Sequence, residues 1–387
     1  MIERLVHRQV LERLNSYPAV ALIGPRQCGK TTLAKSIGGT YFDLEQQSER
    51  LRLDLRWDSL MEGKDLVILD EAQSWPVVFE RLRGAVDMDR KRMGRFLLTG
   101  SVSPSLMIHV SESLAGRLSL VELTPFLLSE LKTKTSHRRR WLCGGYPDGG
   151  VLEPKKYLRW QLDYLALLTQ RDLPNWGLPA KPQTTDRLLR MLAALHGQTW
   201  NASQVGQSLG LSYHTVNNYL DYLAGAFLIR LLPPYQTNIR KRLIKSAKVY
   251  WRDCGLLHAL LNVPDEHTLM GQPWVGASWE SFVIEQALGE LSARGRNFNA
   301  FYFRTTDQHE LDLVLDFGNQ LWAVEVKLTT SPAPEDMVRL GKTAAMIKAS
   351  RCFLVSQTSQ SIGDKRRISC NLQTFLDYLR EEDVILK

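Results

Sequence analysis

Short apolar runs alternate with helix-like segments over the first third of the chain. The runs are AVALI (19–23), YFDL (41–44), LVILD (66–70), RFLLTG (95–100) and LSLVEL (118–123). Near-continuous apolar strands separated by helices are typical of a parallel sheet that helices cover. The pattern therefore predicts an α/β domain with a parallel sheet over residues 1–135. At its start, the mixture of apolar and charged residues in Met1–Leu14 predicts an amphipathic helix.

The pattern changes three times after residue 135. Residues 136–198 are mostly helical between turns and predict a helical connector, whereas residues 199–270 contain two short helical patterns followed by strand-like pieces. Residues 271–387 predict a second α/β domain with its own core. Its expected order is a helix at 279–291, strands at 301–304, 310–316 and 321–328, a helix, a strand at 351–355 and a last helix at 371–380.

Composition supports several folded domains and permits a polyanionic partner. The 387 residues exceed what one ordinary core accommodates, and 44% hydrophobic with 23% charged residues is typical of globular proteins. Lysine and arginine number 49 against 41 acids, an excess of eight. The basic residues cluster at 90–95, 138–140, 240–245 and 365–367. Such clusters permit a polyanionic partner such as nucleic acid, although any single cluster is more typical of a solvated face.

The cysteines and the hydropathy of the chain indicate the cellular compartment in which the protein is expected. The five cysteines are scattered, without a Cys-x-x-Cys pair or a histidine at ligand spacing, and fit a reducing cytosol. No uncharged run approaches the roughly 18 residues that a membrane span requires, and the N-terminus lacks the apolar core of a signal peptide. We therefore expect a cytoplasmic protein with no membrane partner.

The strand at 19–23 runs directly into a phosphate-binding motif. Residues 24–31, GPRQCGKT, fit G-x-x-x-x-G-K-[ST] between a strand and a helix-forming segment. In such a loop the backbone amides surround the phosphates, Lys30 reaches the β and γ oxygens, and the Thr31 hydroxyl binds Mg²⁺. The predicted contacts to the cofactors ATP and Mg²⁺ in this segment are Gly24, Pro25, Arg26, Gln27, Cys28, Gly29, Lys30, Thr31 and Thr32.

A second motif supplies the acids that this loop needs. The apolar strand at 66–70 ends in Asp70 and Glu71; Asp70 is predicted to hold Mg²⁺, directly or through water, and Glu71 to activate the attacking water. A buried strand ending at a polar turn would explain either motif alone, but not both in this order. Thr99, at the end of the next strand, is a candidate sensor of the γ-phosphate, or alternatively a cap of the following helix.

Arg117 follows the next helical segment and precedes the strand at 118. One interpretation is an arginine finger that reaches the γ-phosphate of a neighbouring subunit, which predicts a homo-oligomer. The other interpretation is an ordinary surface arginine.

Taken in order, these motifs resemble a known family. GPRQCGKTTL, LVILDEAQ, FLLTGS and SLAGR, followed by GGYP, LTQRDLP, YLDYLAGAFLIRLLPPY, VYWRDCGLLHALL, WESFVIEQAL and ELDLVL…VEVK, are similar to prokaryotic AAA-type ATP-binding proteins with a C-terminal domain of unknown function. The resemblance implies an AAA-type P-loop domain with a five-stranded parallel sheet, a winged-helix domain at 199–270 and a restriction-endonuclease-like domain at 271–387. The family's Walker lysine, hydroxyl and two acids fall on Lys30, Thr31, Asp70 and Glu71.

Residues 201–220 predict helix, turn, helix. The predicted caps are Ser203 and Ser212, the turn is at Gly210, and the shared core is Val205, Leu209, Val216 and Leu220. In a DNA reader the outer face of the second helix, with His214, Asn217 and Asn218, enters the major groove, and Arg240, Lys241 and Arg242 follow on the wing. The alternative is a helical packing module between protein domains.

The strand at 310–316 and the strand at 321–328 carry a second acidic constellation. If they pair through the turn at 317–319, Asp312, Glu325 and Lys327 meet at one end of the hairpin. Two carboxylates there would bind Mg²⁺ beside Lys327, with Glu280 as a further ligand. The constellation resembles the D…E-x-K site of restriction-type nucleases; the alternative is a half-exposed hairpin with a salt bridge.

The sequence thus predicts a Mg²⁺-dependent ATPase whose nucleotide state controls a DNA-binding, nuclease-like C-terminal half. The alternatives are an ATP-regulated DNA endonuclease and a non-catalytic nucleotide switch or scaffold. Arg171 and Asp172 are interpreted as a structural ion pair or a contact between domains.

Overall fold

The computed structural model describes residues 2–101, 114–131, 136–236 and 246–385. These residues form a five-stranded sheet, a two-stranded sheet and a six-stranded sheet, with helices packed around them. No helix within these ranges combines the length and the apolar character needed to cross a bilayer.

The first sheet is parallel throughout, in the order β2-β3-β4-β1-β5. Its strands are β1 (Ala19–Gly24), β2 (Thr40–Asp43), β3 (Val67–Asp70), β4 (Phe96–Ser101) and β5 (Leu118–Glu122). All five predicted strands are confirmed, as is the parallel sheet. Because parallel strands lie side by side in the same direction, the polar ends of β1, β3 and β4 meet at one edge.

Helices cover both faces of this sheet. They are α1 (Val6–Leu14), α2 (Lys30–Ile37), α3 (Gln47–Glu62) and α4 (Val77–Met88). Leu53 of α3 and Leu82 of α4 pack in the core on one face, and Val10 of α1 and Leu33 of α2 in the core on the other. Burial on both faces explains why the strands are apolar at consecutive positions.

Helices dominate the middle of the chain. They are α5 (Leu128–Leu131), α6 (His137–Cys143), α7 (Arg159–Leu167), α8 (Leu173–Asn175), α9 (Pro182–Ala194), α10 (Ala202–Leu209), α11 (Tyr213–Gly225), α12 (Cys254–Leu260) and α13 (Glu266–Met270). A π-helical turn at Leu168–Asp172 joins α7 to α8. The two-stranded antiparallel sheet pairs β6 (Ile229–Leu232) with β7 (Lys248–Trp251).

The two predicted helices and the turn between them are present as α10 and α11, with one cap placed differently. Ser212 accepts a hydrogen bond from Thr215 N (3.1 Å), as expected. At the first helix, however, Asn201 accepts from Gln204 N (3.2 Å), and Ser203 lies inside the helix. The prediction of Ser203 was wrong because Asn201 is the residue with extended backbone immediately before the helix, which is where a capping side chain must stand. The predicted core residues pack together, with Val205, Val216 and Leu220 buried and Leu209 partly buried.

The third sheet is mixed, in the order β12-β13-β11-β10-β9-β8. Its elements are α14 (Val275–Ala293), β8 (Asn299–Arg304), β9 (Glu310–Asp316), β10 (Leu321–Val326), α15 (Pro334–Met346), β11 (Arg351–Ser356), β12 (Ile362–Gly363), β13 (Arg367–Asn371) and α16 (Leu372–Ile385). The predicted strands and helices are all found. Sequence reasoning missed β12, which has only two residues, and β13, whose short apolar alternation is obscured by the basic residues 365–367.

Helix α14 joins the parts of the molecule. Fourteen of its residues are buried, so it is apolar on nearly every side. Its buried polar groups bond outside the helix: Gln286 Oε1 accepts from Leu128 N (2.7 Å), and Glu290 Oε2 accepts from Ser129 Oγ (2.6 Å). The C-terminal sheet is thereby fixed to the segment that follows the first sheet.

Candidate functional site

The phosphate-binding loop spans the turn between β1 and α2. Gly24 closes β1 with φ +152°, and a Cβ there would lie 2.1 Å from Leu123 O, so no larger residue fits. Gln27 and Gly29 also have positive φ, and Gly29 is the residue before α2. Successive turns of this kind direct backbone N–H groups into the loop, beside the positive end of the helix dipole. The loop is therefore shaped to bind an anion.

Lys30 opens α2 and folds over the loop. Its ammonium donates hydrogen bonds to Gly24 O (3.0 Å) and Pro25 O (2.8 Å), and the side chain is 5% exposed. Phosphate oxygens are stronger acceptors for an ammonium than carbonyl oxygens are. The ammonium thus lies within the loop, and its contact with phosphate stays a prediction.

Asp70 gathers hydroxyl groups from three elements at the edge of the sheet. Its Oδ2 accepts from Thr31 Oγ1 (2.7 Å) and Tyr41 OH (2.6 Å), and its Oδ1 accepts from Thr99 Oγ1. Burial and the nearby Asp70 carboxylate raise the pKa of Tyr41, so its hydroxyl remains a donor. Sequence reasoning missed Tyr41, which lies near the start of β2, the strand that pairs with the strand of Asp70. A hydroxyl and a carboxylate at hydrogen-bonding distance are the hard oxygen ligands that Mg²⁺ prefers, so Thr31 and Asp70 fit the expected metal.

Glu71 follows Asp70 with a left-handed backbone, φ 48°. That conformation is uncommon for residues other than glycine and is often found at functional sites. The carboxylate accepts a hydrogen bond from Gln73 Nε2. Burial and the charge of Glu71 raise the pKa of Glu45. Two carboxyl groups thus lie near each other at the side of the loop.

Arg26 connects the loop to the helical middle of the chain. Its guanidinium pairs with Asp172 (Nη1 to Oδ1, 2.5 Å), lies 3.6 Å from Glu45 Oε1 and faces the ring of Trp176 at 5.7 Å. Asp172 is only 4% exposed and also accepts from Arg171 Nε (2.8 Å). The sequence interpretation of Arg171 and Asp172 as an ion pair agrees with this geometry, but it did not include Arg26.

Cys28 has a structural place within the loop. Its side chain is fully buried and its thiol donates to Leu123 O (3.4 Å). Burial raises the pKa of this thiol, so the reactive thiolate is disfavoured. Arg4 donates to Cys28 O (2.8 Å) and holds the loop from its other side. Pro25 and Thr32 adjoin these residues in the loop and first turn of α2.

Arg117 lies at the start of β5 and pairs with α4 of the same chain. Its Nε and Nη2 donate to the two oxygens of Asp87 at 2.9 and 3.0 Å, and its side chain is 22% exposed. This ion pair holds the guanidinium away from solvent on one side. A role across a subunit interface stays a prediction.

On the helix-turn-helix, His214 and Asn218 of α11 are exposed. Asn217 is half-buried, and its Oδ1 accepts from Trp200 Nε1 (2.8 Å). Asn217 therefore helps to pack the segment rather than facing outward as expected. The basic residues Arg240, Lys241 and Arg242 lie outside the described residues.

The C-terminal hairpin brings its predicted residues together. Strands β9 and β10 are antiparallel, with Val324 opposite Leu313. Asp312 Oδ2 accepts from Val326 N (2.8 Å), and Lys327 Nζ lies 2.7 Å from Glu325 Oε1. Burial, reinforced by the charges of Glu280 and Glu325, raises the pKa of Asp312.

A lysine that the sequence analysis overlooked enters this group of acids. Lys248 of β7, 5% exposed, places Nζ 2.8 Å from Glu310 Oε1, 3.1 Å from Glu280 Oε1 and 3.9 Å from Asp312 Oδ1. We call Glu280, Glu310, Asp312 and Glu325 the carboxylate cluster. Within the part of the chain that the structure describes, no group of three or more His, Cys, Asp or Glu side chains is arranged to hold a metal ion. Because the ammonium of Lys248 already lies between Glu280, Glu310 and Asp312, the cluster as it stands does not fit the divalent metal that a nuclease-like site implies.

Comparison with known proteins agrees with the geometry of the loop. A family model described as AAA domain matches residues 16–132. Two models described as domains of unknown function, DUF8612 and DUF4143, match residues 134–267 and 275–375. The phosphate-binding loop, the adjacent acids Asp70 and Glu71 at the end of β3, and the parallel sheet define a P-loop ATPase of the AAA class.

Two mycobacterial proteins show the family. Uncharacterized protein Mb2031c of Mycobacterium bovis and Uncharacterized protein Rv2008c of Mycobacterium tuberculosis are each 37% identical to this chain over 340 residues, which is 86% of this chain and 76% of theirs. The chain belongs to the same family as these proteins. Among solved structures, the Walker-type ATPase PABY2304 of Pyrococcus abyssi aligns with a TM-score of 0.48 and 16% identity, over 67% of this chain and 96% of that one.

Proposed function

We propose that this protein hydrolyses ATP with Mg²⁺ and that its nucleotide state sets the conformation of the helical middle of the chain. The contact that carries the proposal is the ion pair between Arg26 of the phosphate-binding loop and Asp172 of the π-helical turn. It joins a loop that must surround phosphates to a segment outside the parallel sheet. A change at the loop therefore has a direct route to the rest of the chain.

Each side chain at the nucleotide has a distinct task. Lys30 would exchange its two carbonyl acceptors for phosphate oxygens, and Thr31 and Asp70 would hold the cation. When bound, Mg²⁺ neutralises charge on the β- and γ-phosphates. Glu71 accepts the proton of the attacking water, and its left-handed backbone places it beside Asp70 at the sheet edge.

The Arg26–Asp172 pair is suited to sense phosphate. A buried carboxylate that loses its cationic partner is strongly destabilised, so Asp172 resists separation from Arg26. An entering triphosphate, however, offers Arg26 a competing anion of higher charge. Because Arg171 also bonds Asp172 and is more than half exposed, it can keep that carboxylate paired while Arg26 turns to the nucleotide.

The test compares Asp172→Asn with the control Asp163→Asn. Asp163 lies on α7, its carboxylate is exposed, and its distance to Arg159 Nε is 4.0 Å, at the limit of an ion pair. Hydrogen exchange of residues 159–225 is measured with and without a non-hydrolysable ATP analogue. We expect the analogue to change exchange there in wild type and in Asp163→Asn, but not in Asp172→Asn, which should still bind the analogue. If the analogue changes hydrogen exchange in Asp172→Asn as much as in wild type, the coupling is refuted, whereas the ATPase assignment is unaffected.

We further propose that DNA is the partner of the helical middle. Support comes from the exposed His214 and Asn218 on α11, the second helix of the pair, and from the basic residues 240–242 in the sequence that follows β6. Histidine and asparagine side chains bond base edges, and arginine and lysine bond phosphates.

A further inference from the structure

Lys248 is a deeply buried cation, with its side chain 5% exposed. Lys248 is the first residue of β7, which precedes the C-terminal domain in sequence. Its ammonium nevertheless lies beside acids of α14 and β9. Tyr250, two residues on, also donates its hydroxyl to Glu280. The two-stranded sheet therefore contributes both a charge and a hydrogen bond to the carboxylate cluster.

Every member of the cluster has a cationic partner within the chain. Glu280 and Asp312 face Lys248, Glu310 faces Lys248 and Arg304 (3.5 Å), and Glu325 faces Lys327. Closely spaced carboxylates repel unless a cation or protons compensate them. Here side chains supply that compensation.

We propose that Lys248 is the resident cation of the carboxylate cluster, that it stands in place of a divalent metal, and that it locks the β6–β7 sheet onto the C-terminal domain. The inference is independent of the ATPase proposal. A divalent ion binds carboxylate oxygens at about 2.0–2.6 Å, so an ion bridging Glu280 and Glu310 would occupy the position of the ammonium. Two cations cannot share it, because their repulsion in a buried site is large.

Backbone contacts fix the position of Lys248. On the strand side, Tyr302 N donates to Pro233 O (2.9 Å) and Tyr235 N donates to Tyr302 O (2.6 Å), so the chain after β6 pairs with β8. Tyr302 OH donates to Ser246 O (2.5 Å), two residues before Lys248. These contacts place the backbone of Lys248 beside β8, within reach of the acids of α14 and β9. In this arrangement the acids serve as a junction between domains.

The first experiment uses the wild-type full chain without nucleotide. Manganese is titrated by calorimetry and by electron paramagnetic resonance, and melting temperature is compared in EDTA and in Mn²⁺. We expect no saturable site tighter than about 1 mM and the same melting temperature in both. A stoichiometric Mn²⁺ site that Asp312→Asn abolishes would overturn the proposal, because the metal and the lysine would then coexist.

The second experiment replaces the lysine. Lys248→Met keeps the side-chain length and removes the charge; Lys156→Met is the control, since Lys156 lies 3.3 and 3.2 Å from Asp148 and Glu153 on the surface. Loss of a buried partner should lower the melting temperature by about 5 °C or more, against about 1 °C for the control. Mn²⁺ should raise the melting temperature of Lys248→Met but not of wild type.

A double variant keeps the proposal testable if Lys248→Met folds poorly. Lys248→Met with Glu280→Gln removes a carboxylate together with its cation and should recover at least half of the lost melting temperature. Lys248→Arg, which retains the charge, should fold. A Lys248→Met protein that melts like wild type, or a double variant less stable than Lys248→Met, would contradict the assignment.

Discussion

At the scale of single residues, the carboxylate of Asp70 organises the nucleotide site. It receives hydroxyl groups from α2, β2 and β4, although these residues are 29 to 39 positions away in sequence. The sequence motif named Thr31 and Asp70, and Thr99 as a sensor. The structure adds Tyr41 and shows that Thr99 donates to Asp70. The hydroxyl groups hold the carboxylate in one orientation before any cation is bound.

The roles of Lys30 and Glu71 predict opposite kinetic signatures. Lys30→Ala should weaken ATP binding about 10- to 100-fold, since it removes a charged hydrogen-bond donor to phosphate. Glu71→Gln should leave ATP affinity within about threefold and lower kcat by about 100-fold or more, because the glutamate acts on water in the transition state. Fluorescent-nucleotide titration and phosphate release measure the two quantities. Lys91→Ala, an exposed lysine remote from the loop, is the control. Equal turnover in Glu71→Gln and wild type would remove Glu71 from the mechanism.

At the scale of elements, caps and a shared core fix α10 and α11 in place. His214 and Asn218 on the outer face of α11 are exposed to solvent. Asn201 and Ser212 cap the two helices, and Val205 and Val216 are fully buried. Gly210 adopts the left-handed conformation, φ 69°, that ends α10. The same pair of helices would serve a protein partner, so DNA contact needs a direct test.

DNA binding should separate into two contributions. His214→Ala with Asn218→Ala should weaken binding to duplex DNA at fixed salt by about tenfold and leave the salt slope unchanged, because these side chains carry no fixed charge. Arg240→Ala, Lys241→Ala and Arg242→Ala combined should flatten the log–log salt slope by up to about 3. Fluorescence anisotropy between 50 and 300 mM salt measures both, with Gln207→Ala on α10 as the control. Wild-type behaviour in both variants would exclude this face as the DNA contact.

At the scale of the whole molecule, sequence motifs far apart in the chain meet at the boundaries between its parts. Asp253 Oδ2 accepts from Gly145 N (2.7 Å), and a Cβ on Gly144 would lie 2.0 Å from Asp253 Oδ1. Thus the GGYP and WRDCG segments form one contact. His258 lies nearby, buried, with Nδ1 2.9 Å from Leu142 O and Nε2 2.8 Å from Ser278 Oγ. The contact between His258 and Ser278 joins the middle of the chain to the C-terminal part.

Two buried histidines should make stability depend on pH. Burial lowers the pKa of His258 to about 4 and of His196 to about 3, against 6.5 in an unfolded chain. Below pH 6.5 these two histidines are protonated in the unfolded chain but stay neutral in the folded chain. The free energy of unfolding is therefore highest above pH 6.5 and decreases as the pH falls toward 4. Each histidine contributes a slope of about 1.4 kcal/mol per pH unit in that window.

Urea unfolding at pH 7.5 and pH 5.0 measures this effect. The loss of stability between the two should be smaller by about 2 kcal/mol in His258→Gln than in wild type, because glutamine offers both a donor and an acceptor but does not titrate. Buried Asp253 and Asp312 have raised pKa values and act in the opposite direction, equally in both proteins. An exposed histidine, His214, gives the control substitution. A pH dependence identical in His258→Gln and wild type would contradict the assignment.

The sequence by itself determined whatever depends on neighbours along the chain. Local periodicity predicted the five parallel strands and the C-terminal hairpin. Residues a few positions apart predicted the phosphate-binding loop and the adjacent acids Asp70 and Glu71. A strand buried on both faces and a glycine-rich loop can each be recognised from a short stretch of sequence. The misplaced cap at Ser203 and the missed strand β13 are errors of local detail.

Only the tertiary structure decided which distant charges meet. The pairing of Asp172 with Arg26 spans 146 residues, and Lys248 meets acids that lie 32 and 62 positions later. No periodicity marks such partners, because an arginine or lysine on a surface has the same sequence surroundings as one that neutralises a buried carboxylate. Burial makes these contacts strong, since charges removed from water require a partner. Burial is a property of the packed chain, and so the contact of Arg26 with Asp172 and the contacts of Lys248 with the carboxylate cluster became visible only in the fold.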